Sequence, residues 1–348
     1  AGVLTEQLAA KAPAPDALRR SVQADDDYLR GRAHLRARSD EGLAEALRLF
    51  ESVTRAHPDY APAWAALAIT TDVLDDHEPA ERHALRALQL DPDNVDALTA
   101  LGAVYRDTGR WEQAAATFER AMALDAGSAQ LAEDYGEFLA RTGRMDKLLE
   151  VTSQGYAADP FLVPLVEVYA VALIAAGRAD EAMTVLKQTI ARGGADWLHR
   201  TLAAALAGQG DGPGLRALIS GAPIPAGNRT VLLDALDAPG DPSAAAAGRT
   251  LMAEERGASG YGYAQLELPE IVLLQLGDVD AVIANYRALA AGGAALDNDE
   301  WFLPIYRNFR AHPAFAGLLE TYGLPAWWDQ AGWPEFCRRG ADGGITCT

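Results

Sequence analysis

The stretch that decides the fold is ALDAGSAQLAEDYGEFLARTGRMDKLLE, residues 123–150. It holds two amphipathic segments parted by Thr142-Gly143-Arg144, a layout expected of two helices joined by a tight turn. The same layout stands on either side of it, as RDTGRWEQAAATF at 106–118 and IAAGRADEAMTVL at 174–186. Gly109, Gly143 and Gly177 are spaced 34 and 34 apart, and Pro58, Pro92 and Pro160 are spaced 34 and 68 apart. A fixed period of this length marks a stack of repeated helical hairpins, each burying its apolar face against the next.

Composition agrees with that reading. Of the 348 residues 49% are apolar and only 7% aromatic, and alanine is frequent throughout, which suits helices that cross closely through small side chains. The formal charge of −19, from 49 acidic and 30 basic residues, repels phosphate backbones and anionic lipid, so direct nucleic-acid binding is not expected. The longest apolar stretch, Phe161 to Gly177, contains Glu167 and has Pro160 and Pro164 at its start, so it is not read as a bilayer span. The segment AGVLTEQLAAKAPAPDALRR at 1–20 lacks the apolar core of a signal peptide. Any export signal or membrane anchor is therefore expected outside these residues.

Position by position, the repeat resembles the tetratricopeptide repeat (TPR). In the unit from Val95 to Ser128, Leu98, Leu101, Gly102 and Tyr105 take the first helix's signature places, and Ala114, Phe118 and Ala121 those of the second. The unit before it supplies Trp64, Leu67, Ala68, Ala80, Ala84, Ala87 and Pro92. Small residues let the helices cross closely while aromatic rings fill the space beside them. Ala126 stands where the proline is usual, and Leu148, Thr152 and Gly155 depart from the second-helix signature, so the unit that carries these three is expected to pack loosely.

The resemblance implies an all-α fold, a TPR right-handed superhelical solenoid with degenerate C-terminal helical hairpins and a tail cap closed by a disulfide. The expected organisation is a lead-in segment at 1–26, the TPR array at 27–194, degenerate helical repeats at 195–300 and a C-terminal cap at 301–348. The turn-rich stretch DAPGDPSAAAAGRTLMAEERGASGYGYAQ, residues 237–265, is expected to be an irregular connection or hinge, with a structured loop between repeats as the alternative.

The two ends, residues 25–68 and 307–347, resemble the extracytoplasmic C-terminal TPR regions of bacterial membrane-integrated transcriptional regulators or nucleotide cyclases. The tail matches at Arg310, Pro313, Phe315, Leu318, Trp328, Gly332, Trp333, Pro334, Phe336 and Cys337. In that group the output domain lies across a membrane from the repeats. The two cysteines, Cys337 and Cys347, would close a short loop worth roughly 3 kcal/mol if bonded. Taken alone the pair reads equally as two unrelated thiols or half of a metal site, and the resemblance favours the bridge and a periplasmic or otherwise extracytoplasmic location. Phe315, Leu318, Leu319, Leu324, Trp327, Trp328 and Trp333 are expected to cover the last apolar face of the stack.

No catalytic constellation is legible. His77 and His83 stand six apart, out of register for a paired helical metal site. DPDNVD at 91–96 lacks the glycine and distal glutamate of a calcium loop and reads as turn chemistry. GQGDGPG at 208–214 and GASGYG at 257–262 lack a phosphate-binding lysine and read as loops. Glu254 and Glu255 are adjacent on an expected helix and point in different directions. No enzyme activity, cofactor or metal is therefore expected, the remaining alternative being catalysis by groove residues in an arrangement no linear motif reveals.

Function is then expected to reside in surfaces. The family resemblance places Asp72, Thr99, Arg106, Gln130, Glu133, Glu137, Arg141 and Glu167 on first helices lining a concave groove, as residues that bind a protein or peptide. For each one taken singly, a solvated charge on an exposed helix face is the competing reading. Two functional readings follow. One is a non-enzymatic binding or sensory module of a membrane-anchored bacterial signalling protein, reaching the membrane only through a segment outside these residues. The other is an independent exported scaffold or carrier that assembles envelope proteins or an enzyme complex. Both leave homo-oligomers open.

Overall fold

The structure, a computed structural model, describes residues 15–193, 196–257, 268–292 and 299–348. They form helical hairpins and, among the described residues, one short two-stranded sheet. In chain order come α1 (Pro15–Ala37), α2 (Asp40–Ala56), α3 (Ala61–Val73), α4 (His77–Leu90), α5 (Val95–Asp107), α6 (Trp111–Leu124), α7 (Ala129–Arg141), α8 (Met145–Ala158), α9 (Val163–Ala175) and α10 (Ala179–Ala191). The first helices α3, α5, α7 and α9 begin at steps of 34 residues, and so do their partners α4, α6, α8 and α10. Beyond them lie α11 (Leu198–Gly208), α12 (Gly212–Gly221), α13 (Ala226–Asp237), α14 (Pro242–Gly257), α15 (Leu268–Gln275) and α16 (Val279–Ala291).

The turn within each hairpin explains the glycine spacing. Gly109, Gly143 and Gly177 have φ of 70°, 75° and 75°, the left-handed region that a Cβ disfavours. One period earlier the place is taken by Asp75 at φ 56°, one of the few residue types that tolerate it. DPDNVD is a turn as expected: the Asp91 carboxylate accepts from the Asp93 amide, and the Asn94 side chain accepts from the amide of Ala97.

The chain divides into two compact units, Ala1–Val104 and Tyr105–Thr348, the division falling inside α5. In the first unit the helices meet on small residues. A Cβ on Gly31 would lie 2.6 Å from the ring of Phe50, and Ala65, Ala87 and Ala97 pack together with no exposed surface. His83 packs against Trp64 with ring centroids 5.7 Å apart, and burial, aided by Arg82, lowers its pKa.

In the second unit the hairpin of α7 and α8 differs from expectation. Leu148 and Thr152 are fully buried, and a Cβ on Gly155 would fall 2.3 Å from that of Ala132. The departures from the family pattern make this hairpin tight, because glycine at the crossing lets the two backbones close in where a larger side chain would hold them apart. Nor is the stretch 237–265 an irregular hinge where it is described, since α14 occupies Pro242–Gly257. Its last part, 258–265, with most of GASGYG, lies outside the described residues. Gly212 of the other glycine-rich stretch opens α12, and the side chain of Asp211 caps it by accepting from the Gly214 amide.

After α16 the chain continues through a 3-10 turn at Pro304–Tyr306 into α17 (Arg307–Arg310), α18 (Phe315–Thr321) and α19 (Leu324–Ala331), then β1 (Cys337–Arg339) and β2 (Ile345–Cys347). The strands pair antiparallel with Cys337 opposite Cys347, and the two cysteines are bonded. Trp301 and Phe309 pack against Tyr286 of α16, and Phe315 packs against both of them, so the tail covers the last hairpin. It also reaches back to the repeats of this unit, a contact the sequence reading did not anticipate. Trp111 Nε1 donates to the Tyr322 carbonyl at 2.7 Å and Trp328 Nε1 to that of Thr142 at 3.2 Å. Trp327 lies edge-on to Phe138, and Arg144 donates to the carbonyls of Ala331 and Gly332. Trp333 is only half-buried, held between Trp328 and Arg339. Among the described residues no helix is long and apolar enough to cross a membrane.

Candidate functional site

The ends of α5 and α7 carry a polar cluster. Arg106, at the end of α5, places Nη2 2.8 Å from Asp107 and Nη1 2.8 Å from Glu137, and donates to the Asp134 carbonyl at 3.1 Å. Arg141, at the end of α7, reaches Asp107 at 2.6 Å, Glu137 at 3.1 Å and Asp299 at 2.8 Å. Burial works against the Arg106 charge, but Asp107, Glu137 and Asp134 outweigh it and hold the guanidinium well above its ordinary range. The arginine side chains are 6% and 7% exposed, the four carboxylates 13% to 20%. The two arginines are thus the more buried groups and the four carboxylates the more exposed.

A second cluster follows along α9, α11 and α15. Thr201 Oγ1 lies 3.0 Å from Glu167 and 2.9 Å from Glu300. Arg200 stands 3.3 Å from Glu300 and 3.8 Å from Glu270. Glu270 also accepts hydroxyl hydrogen bonds from Tyr286 and Tyr306. Burial, with Glu300 and Asp299 nearby, pushes the Glu167 carboxyl up to about 8. Burial beside Glu270 likewise raises the Tyr306 phenol well above its usual range.

The sequence-predicted residues separate by unit. Asp72 and Thr99 lie in the first, where Asp72 is 3.1 Å from His77 Nδ1 and Thr99 is spent on the Val95 carbonyl of its own helix. In the second unit the structure brings together Arg106, Glu137 and Arg141, with Gln130 alongside, donating to Glu133 and Asp134 at 2.8 Å each. Glu133 is buried, and Glu167 sits in the second cluster. Sequence reasoning missed Asp107, Thr201, Asp299 and Glu300, and with them Asp134, Arg200 and Glu270. The period held the signal for the first two: Asp107 is 34 residues before Arg141, and Thr201 is 34 after Glu167. Asp299 and Glu300 come from outside the periodic array, and no spacing announces them.

A family model described as tetratricopeptide repeat matches residues 97–130. That is one 34-residue period of the array, from within α5 to the start of α7. No curated protein sequence matches the chain. Among solved structures, a thermophilic TPR protein of Thermus thermophilus is similar at 22% identity and a TM-score of 0.44, over 53% of this chain and 98% of that one. PilF of Pseudomonas aeruginosa is similar at 18% identity and a TM-score of 0.45, over 57% and 93%. PilW, a type IV pilus biogenesis factor, is similar at 19% identity and a TM-score of 0.45, over 60% and 98%.

Proposed function

We propose that the chain is a non-enzymatic protein-interaction module and that the mouth formed by Asp107, Asp134, Glu137 and Asp299 receives a cationic group of a partner peptide, a lysine or arginine side chain or an amino terminus. The observation that carries this reading is the difference in exposure within the cluster. Two buried arginines are already engaged, and the more exposed carboxylates outnumber them by two. An incoming cation would meet an excess of negative charge fixed by the scaffold, which favours both encounter and orientation. Gln130 and Glu133 belong to the same reading as flanking groups, and Glu167 as its far end.

Isothermal titration of a lysine- and arginine-rich peptide tests this. Binding that weakens as salt rises, and falls roughly tenfold in the double variant Asp134→Asn, Glu137→Gln at a temperature where both proteins are still folded by circular dichroism, is the expected result. Equal binding by wild type and variant moves the interaction to another surface. Charge reversal at Glu133 is a poor probe, because it would bury an ammonium group beside Gln130.

As to setting, we place the module in an oxidising, extracytoplasmic compartment and read it as the sensory segment of a membrane-anchored signalling protein. The Cys337–Cys347 bond supports the compartment, and the resemblance of the two ends supports the signalling role. The bond is equally compatible with the exported scaffold. Fractionation of cells producing the complete gene product decides between them: recovery with the membrane supports the first reading, and free release with the periplasm the second.

A further inference from the structure

Inside the second unit one hydroxyl group stands between two carboxyl groups. Thr201 is fully buried, and its Oγ1 lies 3.0 Å from Glu167 Oε1 and 2.9 Å from Glu300 Oε1. A threonine hydroxyl has one hydrogen to donate, and an ionised carboxylate has none. The hydroxyl hydrogen therefore serves one of the two contacts. The other oxygen–oxygen approach needs a hydrogen of its own, which only a protonated carboxyl supplies.

We propose that Glu167, Thr201 and Glu300 form a pH-sensitive latch, in which a proton on Glu167 seats the Asp299–Glu300 stretch against α9 and α11, and loss of that proton releases it. The groups that face Glu167 are Arg200 on α11 and Asp299 and Glu300 on the segment; Arg141 of α7 stands behind Asp299, and Glu270 and Tyr306 behind Arg200. Anions outnumber cations in this set, so a second ionised carboxyl has too little positive charge to offset it. The raised pKa of Glu167, about 8, agrees with a proton retained at neutral pH.

Release stays local. Arg310 holds the carbonyls of Trp301 and Leu303 at 2.7 and 2.8 Å, and Trp301, Phe302 and Leu303 are buried. What opens is the Asp299–Glu300 stretch, which takes one of the four carboxylates away from the acidic mouth. That consequence for peptide binding rests on the reading proposed above. The latch itself does not, and its test uses no peptide.

Amide hydrogen exchange, corrected for intrinsic rates, is measured on the whole chain at about pH 6 and about pH 9. The Leu303 amide, which donates to the Glu300 carbonyl at 2.8 Å, is expected to lose at least roughly tenfold protection at the higher pH, while α7 does not. In Glu167→Gln, whose side-chain amide donates to Thr201 at any pH, protection should persist. Protection in wild type that is unchanged across this range, or lost in parallel by the variant, overturns the latch. Should the variant fail to fold, infrared spectroscopy of the wild type decides. A protonated-carboxyl stretch present at about pH 6 and gone by about pH 10 supports the proposal, and no such band at about pH 6 refutes it.

Discussion

Arg141 and Asp299 meet at 2.8 Å, although 158 residues of chain separate them. The carboxylate approaches Nε of a guanidinium whose other nitrogens are taken by Asp107 and Glu137. A segment from beyond the repeats thereby occupies the remaining face of a guanidinium inside them.

Asp299→Asn should consequently lower stability by about 1.5 kcal/mol, the low end for a hydrogen bond to a charged group, because Arg141 keeps two carboxylate partners. Urea unfolding of both proteins measures the difference. A change in midpoint too small to resolve would mean that this pair is positional only.

Packing should dominate over charge in the tail. Trp328 is fully buried and donates to the Thr142 carbonyl, so Trp328→Ala is expected to cost about 3–5 kcal/mol. Truncation before Trp327 should expose dye-binding apolar surface, with faster amide exchange appearing first around Phe138 to Arg144, whose contacts to Trp327, Trp328 and Ala331 it removes. Loss of protection confined to the region after Gly193 would show that the tail supports only the last hairpins.

The Cys337–Cys347 bond closes a short hairpin loop. Replacing both residues with serine is expected to cost roughly 3 kcal/mol through the entropy of the unfolded chain. Thiol titration of denatured, unreduced protein from an oxidising compartment should find no free thiol, and two would show that the bridge does not form there.

Glu167 should make stability depend on pH with a defined sign. Its folded pKa of about 8 lies above the ordinary 4.5, so the folded state binds the extra proton between those values. The contribution is neutral below the lower value, worsens by about 1.36 kcal/mol per pH unit through the window, and is constant above it. Glu167→Gln removes this term and should be the more stable protein at pH 7, by up to about 3 kcal/mol. Urea midpoints of the two proteins at several pH values test it: the gap should widen from about pH 5 to about pH 8, and a constant gap would assign the effect to packing alone.

The hairpins were legible because a 34-residue period repeats the same steric demand at the same place. Gly109, Gly143 and Gly177 answer the left-handed turn, and Ala114, Phe118 and Ala121 answer the helix crossing with no exposed surface. Arg106, Glu137 and Arg141 were legible as one group for the same reason, since a shared phase places them on neighbouring first helices. What period could not convey is how far a side chain is already engaged. Thr99 carries the right phase and is nonetheless buried and bonded to its own helix.

By itself, then, the sequence determined the all-helical hairpins, their turns and the half of the polar cluster borne on periodic helices, because these depend on residues close in the chain or one repeat apart. It also marked Cys337 and Cys347 as a pair. Tertiary structure alone decided that α7 and α8 close tightly at Gly155, that the tail returns to Trp111 and Thr142, and that Asp299 and Glu300 join Arg141 and Thr201. The physical reason is range: contacts across 99 to 211 residues have no local spacing to encode them, and arise only when buried aromatic rings and buried charges find their partners in the folded chain.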